Sequence, residues 1–217
     1  MVVSILTLFP EIYFPFLSSS IISRAQNKKH LQVHLINIRD FGVGRHKQVD
    51  DHPYGGGAGM LLKVDVLYNA LQSAKLKISN KKIKERVILM DPTGSLFNQT
   101  KARKLAIVDH IIIICGHYEG VDYRINKFID EKISIGRYIL TGGEIPSLVI
   151  VDAVTRLIPG VLSNPISTED ESYSQKGITE PPQFTRPFKF KNQTVPSILL
   201  SGNHHSIKKW RSNKSVK

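Results

Sequence analysis

Short apolar runs recur along the chain, and they predict strands. Val2–Leu8 is an apolar run that Pro10 ends, which is typical of a buried strand, and Leu31–Ile38 alternates apolar and polar positions, which is typical of a half-buried one. Three further short apolar runs follow later in the chain, at Val87–Met90, Ile111–Cys115 and Ile133–Ile135. The pattern therefore predicts five strands.

Segments with helical periodicity lie between these runs. Asp65–Ala74 carries apolar residues at i, i+3, i+4 and i+7, and Asp65 is its predicted N-cap. Gln99–Asp109 and Tyr123–Asp130 are also predicted as helices. Ile145–Ile158 is apolar on most sides, so we expect this helix to be buried, in part against a second subunit.

The alternation of strands and helices predicts an α/β fold with a mostly parallel sheet. Three of the strands are followed by turn residues, at Asp91-Pro92-Thr93-Gly94, at Gly116–Gly120, and at Gly136 with Thr141–Glu144. In open α/β sheets ligands bind beyond the carboxyl ends of the strands. We therefore expect these three loops to form a site at one edge of the sheet.

Composition and charge narrow the class of protein. The 217 residues suffice for one domain, or for one domain with a smaller partner, and hydrophobic residues make up 41%, as is usual for a soluble globular protein. Lys and Arg number 30 against 18 Asp and Glu, a net charge of 30 − 18 = +12. Positive charge is concentrated in Lys75–Arg86 and after Gln183, which indicates a polyanion as partner.

Several functional classes are excluded. The single cysteine, Cys115, cannot form an internal disulfide or a CxxC zinc site, and we expect a small buried side chain there. There is no secretory signal, no apolar run of about 20 residues that could span a membrane, and no P-loop, HExxH or GxSxG motif. The cluster Gly55–Gly59 is not a dinucleotide fingerprint; it fits either close approach to a flat ligand or a surface loop.

Six fragments, in order PYGGGAGM, CGHYEGVD, SIGRYILTGGE, TRLIPGVL, FTRP and LLSGNHHSIKKWR, resemble the bacterial tRNA (guanine-N1)-methyltransferases, and the match runs from Leu8 to Arg211. This family methylates N1 of the guanosine 3′ of the anticodon (position 37 of the tRNA). The resemblance implies the SPOUT fold, an α/β fold with a deep C-terminal trefoil knot. It also implies a small helical C-terminal domain, S-adenosylmethionine as methyl donor, tRNA as partner, an obligate homodimer and a cytoplasmic protein without membrane association.

The family pattern also assigns domains and binding residues. It implies a catalytic domain over 1–160, a linker over 161–182 and a basic tRNA-binding domain over 183–217. Target-base binding falls to Asp50, Tyr54, Gly57 and Gly59. Cofactor binding falls to Pro92, Thr93, Gly94, Gly116, Tyr118, Glu119, Gly120, Ile135, Gly136, Arg137, Tyr138, Ile139, Leu140, Gly142, Gly143 and Pro146.

The reaction needs a base, because N1 of neutral guanine carries a proton, and a cation near O6, where negative charge develops. The family motif places the cation at Arg156 and the base in the linker, where residue type favours Asp170 slightly and ungapped spacing favours Glu171. Arg137 departs from the family, which has an acid there. The resemblance also implies Mg²⁺ as a possible additional ion. Glu119 could bind it, but a single carboxylate is weak evidence for a metal site.

Two other functions fit the residues less well. A knotted methyltransferase acting on a ribose 2′-hydroxyl would need no guanine pocket. A tRNA-binding protein that has lost catalysis would fit Arg137, the displaced linker acid and a chain that ends at Lys217, a few helical turns before the family usually does.

Overall fold

The computed structural model describes residues 1–75, 83–162, 171–173 and 178–215. The chain divides into two compact units, Met1–Ser163 and Asn164–Lys217. In the described part, no helix is both long enough and apolar enough to cross a membrane. The first unit contains the sheet on which the predicted site lies.

Five parallel strands form the central sheet: β1 (Val2–Thr7), β2 (Gln32–Asn37), β5 (Glu85–Leu96), β6 (His110–Cys115) and β7 (Glu131–Ser134). Their order in the sheet is β2-β1-β6-β5-β7. A small antiparallel pair, β3 (Asp50–Asp51) and β4 (Leu61–Leu62), lies between β2 and β5 in the chain. The predicted α/β fold with a mostly parallel sheet is thus confirmed.

Helices connect the strands. They are α1 (Phe14–Leu17), α2 (Ser20–Asn27), α3 (Val64–Ala74), α4 (Gln99–Ala106) and α5 (Glu144–Thr155). Short 3₁₀ helices add further turns, at Pro10–Tyr13, Ile38–Phe41 and Tyr123–Phe128.

Apolar side chains pack on both faces of the central sheet and stabilise it. All six residues of β6 are buried, as expected for a central parallel strand covered on both sides. Ile113 belongs to the cluster that holds Ile150 of α5, whereas its neighbour Ile112 belongs to the cluster that holds Leu67 of α3. The alternation of side chains along β6 therefore places one helix layer on each face.

Three sequence predictions need correction. Asp65 is not the N-cap of α3: the helix begins one residue earlier, and the Asp65 carboxylate accepts from the backbone N–H of Val66 within the first turn. The helix predicted over Tyr123–Asp130 is a 3₁₀ helix, whose first turn is fixed by the Asp122 carboxylate accepting from the backbone N–H of Arg124. Strand β5 continues past Met90 and takes in the residues that were expected to form a loop.

Helix α5 is shorter than predicted and is not buried on all sides. Ile150, Val151 and Val154 are buried, but Ile145 is 51% exposed and Val149 is 41% exposed. Within the described residues, α5 thus keeps apolar side chains at the surface.

His110, a buried histidine at the amino end of β6, makes the stability of the fold depend on pH. The His110 ring is paired through Nε2 with Ser4 Oγ and through Nδ1 with Glu85 Oε2, both at 2.9 Å. Burial lowers the pKa of His110, although Glu85 acts in the opposite sense. The unfolded chain has the ordinary histidine pKa of about 6.5 and binds a proton below that value, so stability is full above it and falls as the pH drops.

We therefore expect His110→Gln to flatten the loss of stability below about pH 6.5. Urea unfolding of the wild type and the variant at pH values on either side of this value measures the difference. Equal losses in the two proteins would show that His110 is not the responsible group.

Candidate active site

A cavity of about 560 Å³ lies at the carboxyl ends of β5, β6 and β7. The three loops expected to meet there do meet, because β6, β5 and β7 are neighbours in the sheet. Gly94 and Arg137 are not in its lining. The other predicted cofactor residues line it: Pro92, Thr93, Gly116, Tyr118, Glu119, Gly120, Ile135, Gly136, Tyr138, Ile139, Leu140, Gly142, Gly143 and Pro146.

The first loop is an irregular part of β5. The pairing of β5 with β7 shifts in register between Met90 and Ser95, so the residues between them bulge toward the cavity. Gly94 is required at this bulge, because a Cβ there would lie 2.6 Å from the backbone nitrogen of Ile133. The Asp91 carboxylate closes the turn by accepting from the backbone N–H and the hydroxyl of Thr93, at 2.7 and 2.6 Å.

An ion pair inside the cavity was not predicted from the sequence. Lys132 Nζ donates to Asp91 Oδ2 at 2.8 Å and lies 5.8 Å from the centre of the Tyr123 ring. Burial raises the pKa of Asp91, but the hydrogen bonds from Lys132 and Thr93 outweigh it and lower the pKa overall. Asp91 therefore stays ionised and fixes Lys132 beside the first loop.

No motif in the sequence marks Asp91 and Lys132 as partners. Asp91 stands in the predicted first loop and Lys132 comes just before the apolar run of β7, and the two meet because β5 and β7 are paired in the sheet. His117 also lines the cavity.

The second and third loops are joined by their backbones. The N–H of Gly143 donates to the carbonyl of Gly116 at 2.8 Å. Gly143 has no room for a side chain, because a Cβ there would lie 2.7 Å from Cys115 Cα. Cys115 is buried, as predicted, and burial raises the pKa of its thiol to about 12, so the thiol stays protonated and unreactive.

Gly143→Ala should destabilise the protein by about 1–3 kcal/mol, because its new methyl group would meet backbone atoms that cannot move aside. Gly116→Ala is the matched control: a Cβ there meets its nearest atom, Val121 Cγ1, at 3.5 Å, which is ordinary contact. Urea unfolding of both variants measures the difference. Equal stabilities would mean that the third loop shifts without cost.

The mouth of the cavity is apolar and open. Tyr138 is 54% exposed and Ile139 is 80% exposed, and both belong to the third loop. Exposed apolar side chains at the rim of a concave site are typical of a binding site for a partly apolar ligand.

The glycine-rich loop, which contains Gly55–Gly59, contacts the second loop, Gly116–Gly120, from outside the cavity. A Cβ at Gly59 would lie 2.3 Å from Glu119 Cγ, and the backbone N–H of Glu119 donates to the carbonyl of Met60 at 3.1 Å. Of the predicted target-base residues, Asp50 lies in β3 and Tyr54 is fully exposed. None of Asp50, Tyr54, Gly57 and Gly59 lines the cavity, but the loop that carries them touches its wall.

The proposed catalytic residues lie on different parts of the chain. Arg156 directly follows α5, and its backbone N–H donates to the carbonyl of Asp152. Glu171 is half-buried and belongs to the second unit. Asp170 lies outside the described residues.

The second unit carries the basic segment. It contains a hairpin, β8 (Lys189–Phe190) with β9 (Gln193–Thr194), a 3₁₀ turn at Ser197–Leu200, and helix α6 (His204–Lys214). Trp210 packs against Phe184, with ring centres 6.3 Å apart, whereas Phe188 is 56% exposed. Between 183 and 215 there are seven Lys and Arg residues and no acid. This surface suits a polyanion.

Comparison with known proteins decides the family. The family described as tRNA (Guanine-1)-methyltransferase TrmD matches residues 1–217. The chain belongs to the TrmD family. Its relatives include proteins named tRNA (guanine-N(1)-)-methyltransferase from Carboxydothermus hydrogenoformans and Staphylococcus aureus, which are 49% and 48% identical over 217 residues. The chain is covered completely in both cases, and 83% and 86% of the two relatives are covered.

A relative of the same name from Dictyoglomus turgidum is 48% identical over 215 residues, covering 99% of this chain and 85% of that protein. The TrmD family match spans both units, so it includes the cavity, the glycine-rich loop, Arg156 and the basic C-terminal segment.

Proposed function

We propose that this protein transfers a methyl group from S-adenosylmethionine to N1 of the guanosine 3′ of the anticodon in tRNA. Membership of the TrmD family over the whole chain carries the proposal. The relatives' names specify methylation of guanine N1 in tRNA. The basic second unit supports tRNA as the partner, and we infer a cytoplasmic enzyme from this proposed substrate.

The cavity fits the cofactor. S-Adenosylmethionine, when bound, would supply a methyl group that is activated by a sulfonium sulfur. After transfer of the methyl group, this sulfur is the thioether of S-adenosylhomocysteine. Ile135 and Leu140 offer apolar walls for an adenine, and the glycine-containing loops bring backbone N–H and C=O groups close to its edge. Glu119 places a carboxylate in the same lining, where it attracts the positive charge of the ligand.

The catalytic steps fall to residues near the linker. A linker carboxylate, Asp170 or Glu171, takes the proton from guanine N1, which frees the lone pair that attacks the methyl carbon. As the proton leaves, negative charge spreads to O6, and the Arg156 guanidinium stabilises it. The glycine-rich loop, with Asp50 and Tyr54, holds the target base against the wall of the cavity.

We also infer the finer architecture from the family. The catalytic domain spans 1–160 and contains a deep trefoil knot, a linker spans 161–182, and 183–217 form a small helical tRNA-binding domain. The enzyme acts as a homodimer, and the exposed Ile145 and Val149 of α5 provide an apolar contact for a second copy.

Mg²⁺ fits the described residues poorly. No group of three His, Cys, Asp or Glu side chains within them could hold a metal ion. Asp91 already binds Lys132, so Glu119 remains as a single carboxylate. No step of the proposed mechanism therefore runs through Mg²⁺.

The test is methyl transfer from labelled S-adenosylmethionine to a tRNA transcript with guanosine 3′ of the anticodon. We expect one methyl group per tRNA, located on N1 of that guanine by nucleoside mass spectrometry, and no transfer to a transcript with adenosine at this position. A methyl group on ribose would identify a 2′-hydroxyl methyltransferase. Cofactor binding without transfer would identify a tRNA-binding protein.

A further inference from the structure

Glu144 is a buried carboxylate that the proposed mechanism does not use. It is 4% exposed and is the only Asp or Glu among the buried residues of the described part of the chain. A buried carboxylate is costly unless it has partners. Glu144 opens α5, where the helix dipole favours negative charge, and its Oε1 accepts from the Thr7 hydroxyl at 2.9 Å.

The second carboxylate oxygen faces His117. Glu144 Oε2 lies 3.9 Å from His117 Nδ1, and this nitrogen is buried without a hydrogen-bond partner among the described residues. The ring is held between two aromatic side chains, with centres 5.0 Å from Phe9 and 5.1 Å from Tyr118. An imidazole fixed in this way presents its buried nitrogen to the carboxylate, and the two attract when the ring carries a proton.

The pair encloses the third loop. A Cβ at Gly142 would lie 2.3 Å from Glu144 Oε2 and 2.6 Å from His117 Nδ1, so only glycine fits between them. Gly142 also forms an antiparallel bridge with His117. The two side chains thus lie on either side of the junction between the second and third loops, and both loops line the cavity.

We propose that Glu144 is a positioning residue that acts through His117 to hold the second and third loops in the geometry that binds the cofactor. The inference rests on the proposed function, because it takes the cavity as the cofactor site. Neither residue has a part in proton removal from guanine or in charge stabilisation at O6. Loss of the pair should therefore weaken cofactor binding and leave the rate of the saturated enzyme nearly unchanged.

The test compares Glu144→Gln, His117→Gln and the double variant. Glu144→Gln keeps the volume and an oxygen for Thr7 but removes the charge. We expect the KM for S-adenosylmethionine and the Kd for S-adenosylhomocysteine to rise about tenfold or more, with kcat within about threefold of the wild type. The double variant should be no weaker than the worse single variant, because the two residues act as a pair.

Two further variants separate positioning from general stability. Thr7→Val removes the hydrogen bond that Glu144 accepts from the Thr7 hydroxyl, together with the one that this hydroxyl accepts from the backbone N–H of Phe9, and it leaves the charge of Glu144. It should therefore lower thermal stability without the change in KM. His117→Arg keeps a permanent positive partner and should bind the cofactor more tightly than His117→Gln. Additive effects in the double variant, or equal effects of Thr7→Val and Glu144→Gln on KM, would overturn the proposal.

Calorimetry with S-adenosylhomocysteine alone keeps this inference apart from the proposed function. A wild type that does not bind this ligand contradicts the proposed function itself. If the Glu144→Gln and His117→Gln variants bind S-adenosylhomocysteine as tightly as the wild type does, only the role of the pair is contradicted. Where Glu144→Gln does not fold, the comparison of His117→Gln with His117→Arg still decides.

Discussion

Arg156→Ala is expected to lower kcat for tRNA methylation by about 10²–10³-fold, as removal of a donor to a developing oxyanion does in other enzymes. The proposed contact of Arg156 is made to O6 of guanine as N1 loses its proton, so it is strongest in the transition state. The Kd for S-adenosylhomocysteine should change by less than about threefold. Single-turnover methylation and calorimetry measure the two quantities separately.

Arg24→Ala is the matched control for this variant. Arg24 is an exposed arginine in the last turn of α2 in the same unit, and its loss changes the net charge by the same amount. Its methylation rate should stay near that of the wild type. If Arg156→Ala weakened cofactor binding as much as it slowed methylation, Arg156 would be part of the cofactor site instead.

Removal of the linker base should have an effect of similar or larger size. We expect one of Asp170→Asn and Glu171→Gln to lower the rate by about 10²–10⁴-fold, because general base catalysis contributes that much, and the other to change it by only a few fold. The rate of the affected variant should rise steeply with pH, because hydroxide then removes the N1 proton.

Glu180→Gln controls for the loss of an acid in the same unit. Glu180 is exposed and its carboxylate accepts from Gln183 Nε2 at 3.0 Å, while its backbone N–H donates to Ser172 Oγ and is unchanged in Glu180→Gln. Its rate should match that of the wild type at every pH. Two weak effects, in Asp170→Asn and in Glu171→Gln, would exclude both residues as the base.

The sheet could be predicted well because its signal is local. β-Branched runs such as Ile111–Cys115 mark buried strands by composition alone, and the order of strands and helices then indicates a parallel sheet. Element ends were less predictable, since capping depends on a single residue. The bulge in β5 was missed because its pairing with β7 shifts register at residues far apart in sequence.

In the candidate site, too, features with a local sequence signal could be predicted and contacts between residues far apart in the chain could not. The glycine-containing loops carried a signal, because glycine marks places where backbones pass closely, as Gly143 does against Cys115. The sequence contains little signal for two pairs, Asp91 with Lys132 and Glu144 with His117, because the partners in each pair are far apart in the chain and meet only in the folded protein. Hydrophobic periodicity records burial and is silent about which polar side chains share a buried space.

The hydrogen bond between Met60 and Glu119 joins the glycine-rich loop to the second loop of the cavity, and the N–H of Leu62 donates to the carbonyl of Gly120 beside it. If guanine binds one loop and the cofactor the other, each ligand orders part of the other's site. Such coupling is reciprocal: bound cofactor raises the affinity for tRNA by the same factor by which bound tRNA raises the affinity for the cofactor. Either ligand can then bind first, and the ternary complex has the same free energy by both routes.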